Sequence, residues 1–134
     1  MPQTDQEAIM QKIMDITEAL RKLDAKRVLR DHAVDDSRFS AFAGFPPHKR
    51  MDGKEFEHFI TSWLGRISRY YDVEKYDVSV QVFDNIAVAT GYERWSMVYD
   101  GKPLSSVERF TMVFLRRNGN WNVIHEHFTV MPQA

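Results

Sequence analysis

Apolar residues recur every three or four positions in the first half of the chain and every second position in the second half. Ile9, Ile13, Ile16, Leu20 and Leu23 make one stripe of an α-helix, and Thr4-Asp5-Gln6-Glu7 before them is a capping-box sequence that starts it. Asp24 reads as the N-cap of a short second helix that buries Val28 and Leu29 and stops at Asp35-Asp36-Ser37. Ser37 to Phe42 alternates, with Phe39 inward and Phe42 a second candidate for that side, and predicts a short strand. Gly44-Phe45-Pro46-Pro47 cannot continue a regular element and is a loop. Asp52-Gly53-Lys54-Glu55 opens a third helix whose buried stripe is Phe56, Phe59, Ile60, Trp63, Leu64 and Ile67.

After Tyr71 the period becomes two. Val78, Val80 and Val82 alternate with Asp77, Ser79 and Gln81, and Asp84-Asn85 makes a turn. Ile86 to Tyr99 is a long strand, Asp100-Gly101 turns the chain, Leu104 to Arg117 returns, and Trp121 to Met131 closes the sheet. Asn118-Gly119 between the last two strands is a hairpin signal, because both residues tolerate positive φ. Helix, helix, strand and helix followed by a four-stranded antiparallel meander is an α+β arrangement, with the helices on one face of the sheet.

At 134 residues the chain is expected to be one domain, residues 1–134, with 1–4 flexible. Eighteen basic and nineteen acidic side chains leave no basic stripe for nucleic acid and no polybasic cluster for a membrane surface. The absence of cysteine excludes disulfides and thiolate metal sites. The N-terminus does not read as a signal peptide and no apolar run reaches the roughly 20 residues of a membrane span, so a cytoplasmic location is the expectation. Nine Phe, five Tyr and three Trp suit a deep apolar core, an aromatic-lined pocket, or both.

Taken in order and spacing, the Leu23-Asp24 helix break, Asp35-Asp36-Ser37-Arg38-Phe39, Gly53-x-x-Phe56-x-x-Phe59 and Trp121-x-x-x-His125-x-His127-x-Thr129 resemble the nuclear transport factor 2-like superfamily. The chain is most similar within it to SnoaL-like proteins and to the association domain of calcium/calmodulin-dependent protein kinase II. The resemblance covers nearly the whole chain. It implies a cone: a strongly curved sheet (a cystatin-like fold) with the N-terminal helices on its concave face, a long helix closing the mouth, an internal pocket, and dimers formed through the convex side. The superfamily includes polyketide cyclases, ketosteroid isomerases, dehydratases and non-catalytic assembly domains, so the fold leaves function open.

Strand alternation puts Trp121, Val123, His125, His127 and Thr129 on one face of the last strand and Ile124, Glu126, Phe128 and Val130 on the other. The resemblance implies that the second set lines the cavity with Glu108, Phe110, Met112 and Phe114, that Tyr92 and Arg94 face inward, and that Glu57 is a pocket-facing position of the third helix. It also implies that the first set packs across a homodimer. Two arginines of the kinase association domain stand where Met112 and Phe128 stand here, which leaves only Arg94 of a basic trio. A two-residue turn at Asp100-Gly101 would instead pair Arg94 with an odd-numbered residue. Trp63 is core or pocket floor.

Arg94 and Glu126 are the candidate catalytic pair. A carboxyl group in an apolar cone has a raised pKa suited to acid/base work near neutrality, whereas an adjacent guanidinium keeps it ionised or grips a substrate carboxylate or enolate. The same two residues can also be a structural ion pair within the sheet. Tyr92 and Tyr99 are candidate hydrogen-bond donors to an oxyanion. His125 and His127, at i and i+2, could face one metal ion, but a third ligand would have to come from His32, His48, His58 or a carboxylate on distant segments, and no metal is expected. The leading function is a cofactor-free SnoaL-like isomerase, cyclase or dehydratase that acts on a small apolar or mildly acidic organic molecule, with Tyr92, Glu108, Phe110, Met112, Phe128, Trp63 and Glu57 around the ligand. The rivals are a non-catalytic ligand-binding or association module and a stand-alone regulatory or stress protein with an adventitious cavity.

Overall fold

The computed structural model describes residues 2–132. The elements run α1 (Asp5–Arg21), α2 (Ala25–Arg30), β1 (Ser40–Phe42), α3 (Gly53–Gly65), β2 (Ile67–Phe83), β3 (Ile86–Tyr99), β4 (Lys102–Arg117) and β5 (Asn120–Val130). They form one five-stranded sheet in the order β1-β5-β4-β3-β2, antiparallel except where β1 runs parallel to β5. The fold is the expected α+β cone, a curved unclosed sheet with the N-terminal helices on its concave side. No helix among the described residues is long and apolar enough to cross a membrane.

Both capping boxes form. Thr4 Oγ1 accepts from the Glu7 backbone N–H while Glu7 Oε1 accepts from that of Thr4, and Asp52 and Glu55 do the same at the start of α3. Of residues 1–4, expected to be flexible, Thr4 is therefore held, and Met1 lies outside the described residues. Ile67, expected in the helical stripe of α3, is the first residue of β2, because Arg66 already caps the helix.

Two hairpins turn on residue pairs with positive φ, Asp100 (49°) with Gly101 (78°) and Asn118 (51°) with Gly119 (77°). These are the two-residue connections whose twist matches that of paired strands. They fix the register: Tyr99 stands opposite Lys102, and Arg117 opposite Asn120.

Three irregularities bend the ladders and change which residues face inward. In β2 extra residues stand at 69–70 and again between Tyr76 and Ser79, where Arg69 and Asp77 take positive φ. Tyr71, Val73 and Lys75 therefore share the concave face with Val78, Val80 and Val82. In β5 the break lies between the pairs Val113–His125 and Phe114–Val123, so Ile124 is the extra residue. Backbone of the α2–β1 segment fills this break: Ala33 N–H donates to Val123 O at 2.7 Å and Val123 N–H donates to Asp31 O at 2.9 Å.

The core lies between this concave face and the helices. Ile9, Ile13, Ile16 and Leu20 of α1, and Phe56, Ile60, Trp63 and Leu64 of α3, meet Phe110, Met112, Phe114, Trp121 and Val123 of the sheet. Gly53 sets how closely α3 approaches. A Cβ added there would stand 1.9 Å from the backbone oxygen of Val34, and that oxygen cannot swing away as a side chain would. Gly53→Ala should destabilise the fold by about 2 kcal/mol. Urea denaturation checks this, and an unchanged midpoint would mean that α3 is not docked on the Val34 backbone.

Candidate functional site

The turn at Asp100–Gly101 brings two acids face to face. Its register sets Glu93 of β3 opposite Glu108 of β4, both on the concave face and both 3% exposed. Two carboxyls in contact can bond to each other only if one carries a proton. Burial, and then the charge of Glu93 and the hydrogen bond to it, push Glu108 up from 4.5 to about 8, against the opposing pull of the Trp95 indole and the Lys75 ammonium. Trp95 Nε1 donates to Glu108 Oε2 at 3.1 Å.

Lys75 completes the group. It stands opposite Glu93 on β2, with its ammonium 2.9 Å from Glu93 Oε1 and its side chain 4% exposed. The ammonium donates to Thr17 Oγ1 of α1 at 2.9 Å, and Thr17 in turn donates to Ile13 O at 2.8 Å. It also lies 5.9 Å from the ring centres of both Phe110 and Phe128, a cation–π setting. One ammonium, one carboxylate and one protonated carboxyl make a neutral cluster, the form in which such groups are tolerated in a dry interior. Tyr71 lies in the same field. Burial, followed by the charges of Glu93 and Glu108, holds its hydroxyl well above the usual phenol range, so it is a neutral donor.

The segment after β1 covers this cluster. A Cβ on Gly44 would stand 2.0 Å from Glu108 Oε1, so any larger residue there would have to displace the Glu108 carboxyl. Phe45 then packs at 5.0 Å on Trp63 and 5.3 Å on Trp95, while Trp63 meets Tyr71 edge-on at 5.3 Å. These rings occupy the mouth of the cone. Outside them, a cleft of about 520 Å³ runs between α3 and the segment 46–51.

Deeper on the concave face lies a second polar centre. His32 is clamped between Val28 O and Glu126 Oε1, 2.7 Å from its Nδ1 and its Nε2 respectively. A carbonyl only accepts, so Nδ1 carries a proton and a further proton joins Nε2 to the carboxyl. Phe56 and Phe39 pack on the imidazole at 5.0 and 6.3 Å. Nearby, Lys12 donates to buried Asp31 at 3.0 Å.

The expected inward set of β4 and β5 is present: Glu108, Phe110, Met112 and Phe128 face the concave side, as do Trp63 of α3 and Glu126. Three expected site residues do not. Arg94 is opposite Val107 on the outer face, 57% exposed, 3.8 Å from Glu74 and with its guanidinium 4.2 Å over Tyr76. Tyr92 stacks on Tyr76 on that same outer face. The cause is the two-residue turn, which pairs even positions of β3 with odd ones of β4. Arg94 and Glu126 thus lie on opposite faces and form no pair. Glu57 is on the exposed side of α3, one residue beyond buried Phe56.

The expected dimer face is also split. Trp121 and Val123 are buried on the concave side, because Ile124 is a bulge and alternation changes parity there. His125 and His127 stay outside: Ser40 Oγ is 2.8 Å from His125 Nδ1, and Phe42 packs on both rings. Among the described residues no group of three or more His, Asp or Glu is placed to hold a metal ion. Sequence reasoning missed Glu93, Lys75 and the partnership of His32 with Glu126. The Asp-Gly turn carried the signal for Glu93, since a two-residue connection there places Glu93 opposite Glu108.

The SnoaL-like domain family matches residues 9–133, and the chain belongs to it. Solved structures of the nuclear transport factor 2-like superfamily share the fold. A dehydratase candidate from Streptomyces avermitilis superposes with a TM-score of 0.84 at 18% identity, covering 99% of this chain and 100% of that one. An NTF2-like protein of unknown function from Pseudomonas putida KT2440 gives 0.80 at 20% identity, over 93% and 85%. The calcium/calmodulin-dependent kinase hub of S. rosetta gives 0.76 at 17% identity, over 98% and 100%. No curated protein sequence matches the chain significantly.

The raised pKa of Glu108 ties stability to pH. The folded protein keeps a proton that the unfolded chain releases above 4.5, so this contribution is fully present below that value and is lost as pH rises through about 8. Urea midpoints measured from pH ~5 to pH ~9 should fall more steeply in the native protein than in Glu108→Gln, which has no proton to lose. Parallel curves would show that Glu108 titrates normally.

Proposed function

We propose that this SnoaL-like protein binds a small organic molecule in its cone and moves a proton on it, as an isomerase, cyclase or dehydratase that needs no cofactor. The observation that carries the reading is the pair of buried carboxyls, Glu93 and Glu108, beside a single ammonium. Two acids with different surroundings, one protonated near neutrality and one in an ion pair, are the parts of an acid/base couple. Glu93 takes the proton from a carbon next to a carbonyl while Glu108 gives its proton to the carbonyl oxygen. The product is an enol, with Glu93 now protonated and Glu108 ionised. With a β,γ-unsaturated ketone the Glu93 proton goes to the γ-carbon of the dienol while the enol O–H proton returns to Glu108, which isomerises the substrate; with a 3-hydroxyketone Glu93 protonates the β-hydroxyl, which leaves as water while the enol O–H proton returns to Glu108, which dehydrates it. Lys75 offsets the negative charge throughout, Trp95 orients Glu108, and Phe110, Phe128, Met112 and Trp63 supply the apolar wall.

Substrate reaches the pair when the Gly44-Phe45 segment moves aside. Glu126, expected to be half of the catalytic pair, positions His32 beneath the site in this reading. A homodimer in the cytoplasm is part of the proposal, formed through the outer face that carries Tyr76, Tyr92, Arg94, His125 and His127.

A second reading has its own support. The aromatic rings that fill the mouth, together with relatives that include a kinase hub, suit a non-catalytic association module in which the cluster only holds the strands together. One experiment separates the two. Small ketones and 3-hydroxyketones are incubated in deuterium oxide and their α-carbon exchange is followed by proton NMR. Under the catalytic reading the native protein accelerates exchange of at least one compound, and Glu93→Gln and Glu108→Gln each lower that rate by ~100-fold or more while remaining folded. Exchange that is equal in the native protein and both variants would leave the association module as the function.

A further inference from the structure

The cleft outside the mouth has a character of its own. Glu55, His58, Phe59 and Ser62 recur at spacings of three and four on one face of α3, which meets the buried stripe at Trp63 and ends at the cap residue Arg66. Pro46 and Pro47 form the facing wall. Phe59 stacks on Trp63, 8° apart in plane and 6.0 Å between centres, and the more exposed Phe59 ring gives the cleft an apolar wall. The rim is cationic. Lys49, Lys54 and Arg66 border the cleft against one carboxylate, Glu55, which Lys49 already pairs. Lys54 has no ion-pair partner among the described residues, and Arg66 reaches only Asp100, at 3.7 Å with both side chains more than half exposed.

Trp63 makes a second, independent point. The residue is 7% exposed and its indole N–H has no hydrogen-bond acceptor among the described residues. A buried donor without a partner is costly, and a ligand acceptor that reached it would remove that cost.

We infer that this cleft binds a small planar aromatic carboxylate, its ring against Pro47, Phe59 and Trp63 and its charge toward Lys54 and Arg66. The aromatic and proline walls select a ring, and a cationic rim on which Lys54 is unpaired selects a negative charge. The cleft wall and the cover over Glu108 belong to one segment: Phe45, directly before the Pro46-Pro47 wall, is wedged between Trp63 and Trp95. An occupant that presses on that wall bears on Phe45 and therefore on access to the two acids. An aromatic acid is thus the substrate class this route delivers, an extension that rests on the proton-transfer reading, whereas binding in the cleft does not.

The test uses 2-naphthoate, with 2-naphthylmethanol as the uncharged control, in titrations of the full chain followed by tryptophan fluorescence and by the indole N–H signals in nitrogen–proton NMR. Naphthoate should bind saturably and shift the Trp63 indole signal, and the alcohol should bind at least ~10-fold more weakly. Lys54→Gln combined with Arg66→Gln, both at exposed positions, should weaken naphthoate by ~10-fold and leave the alcohol unchanged. Equal affinity for acid and alcohol, unaltered naphthoate affinity in the double variant, or no saturable binding would each overturn the inference. Repeating the titration with Glu108→Gln keeps the two proposals apart. Naphthoate binding that survives there supports the cleft as a site in its own right, whatever the exchange experiment shows. Binding that disappears in Glu108→Gln would place the ligand in the cone and overturn the cleft.

Discussion

Two carboxyl groups held against each other in an apolar interior constrain everything built around them. Glu93 and Glu108 face one another across β3 and β4, each 3% exposed, and cannot both be charged. The sheet meets that constraint with one proton and one cation. Lys75 comes from β2, is steadied by Thr17 of α1, and lies over the rings of Phe110 and Phe128. Five elements of the fold thus converge on one neutral cluster, and a shift of β2, β3 or β4 would leave a charge uncompensated. A buried ion group of this kind is weak support for stability, since apolar residues of similar volume do as well or better. Its presence in a cone that could have been wholly apolar is the physical reason for reading it as chemistry.

The rest of the concave face follows from how that cluster is reached and sealed. Gly44 lets backbone pass over Glu108, and Phe45 locks into the aromatic rings at the mouth. At the other end His32 and Glu126 share a proton between the helical layer and β5. The sheet therefore has a polar centre at each end of an apolar middle made of Phe110, Met112 and Phe128. That layout suits an elongated organic molecule with a polar group, and it equally suits a rigid module whose two ends are tied to its helices.

Much of this is legible in the sequence. The capping boxes at Thr4 and Asp52, the stripes of α1 and α3 and the hairpin turns follow from local chemistry, which acts within a few residues. The parity of the strands was less accessible. Ile124, Asp77 and the residues 69–70 are bulges that no short-range pattern marks, and each flips or offsets the alternation beyond it. Strict alternation therefore places Trp121 and Val123 on the outer face, where the structure buries them on the concave side, and gives no sign of Lys75. Arg94 is a different case. The Asp-Gly turn already fixed its partner as Val107, and weighting that rule above family analogy would have turned Arg94 outward and Glu93 inward.

The central claim is that a single proton is shared by Glu93 and Glu108. Carbon-13 NMR of protein labelled at the glutamate side-chain carboxyls, titrated with pH and assigned with Glu93→Gln and Glu108→Gln, measures it directly. One carboxyl, Glu108, is expected to stay protonated through neutrality and to titrate near 8; replacing Glu93 removes a like charge and a hydrogen bond and lowers that value only in part, because burial is its main cause. A spectrum in which every glutamate, Glu108 included, titrates near 4.5 would contradict it.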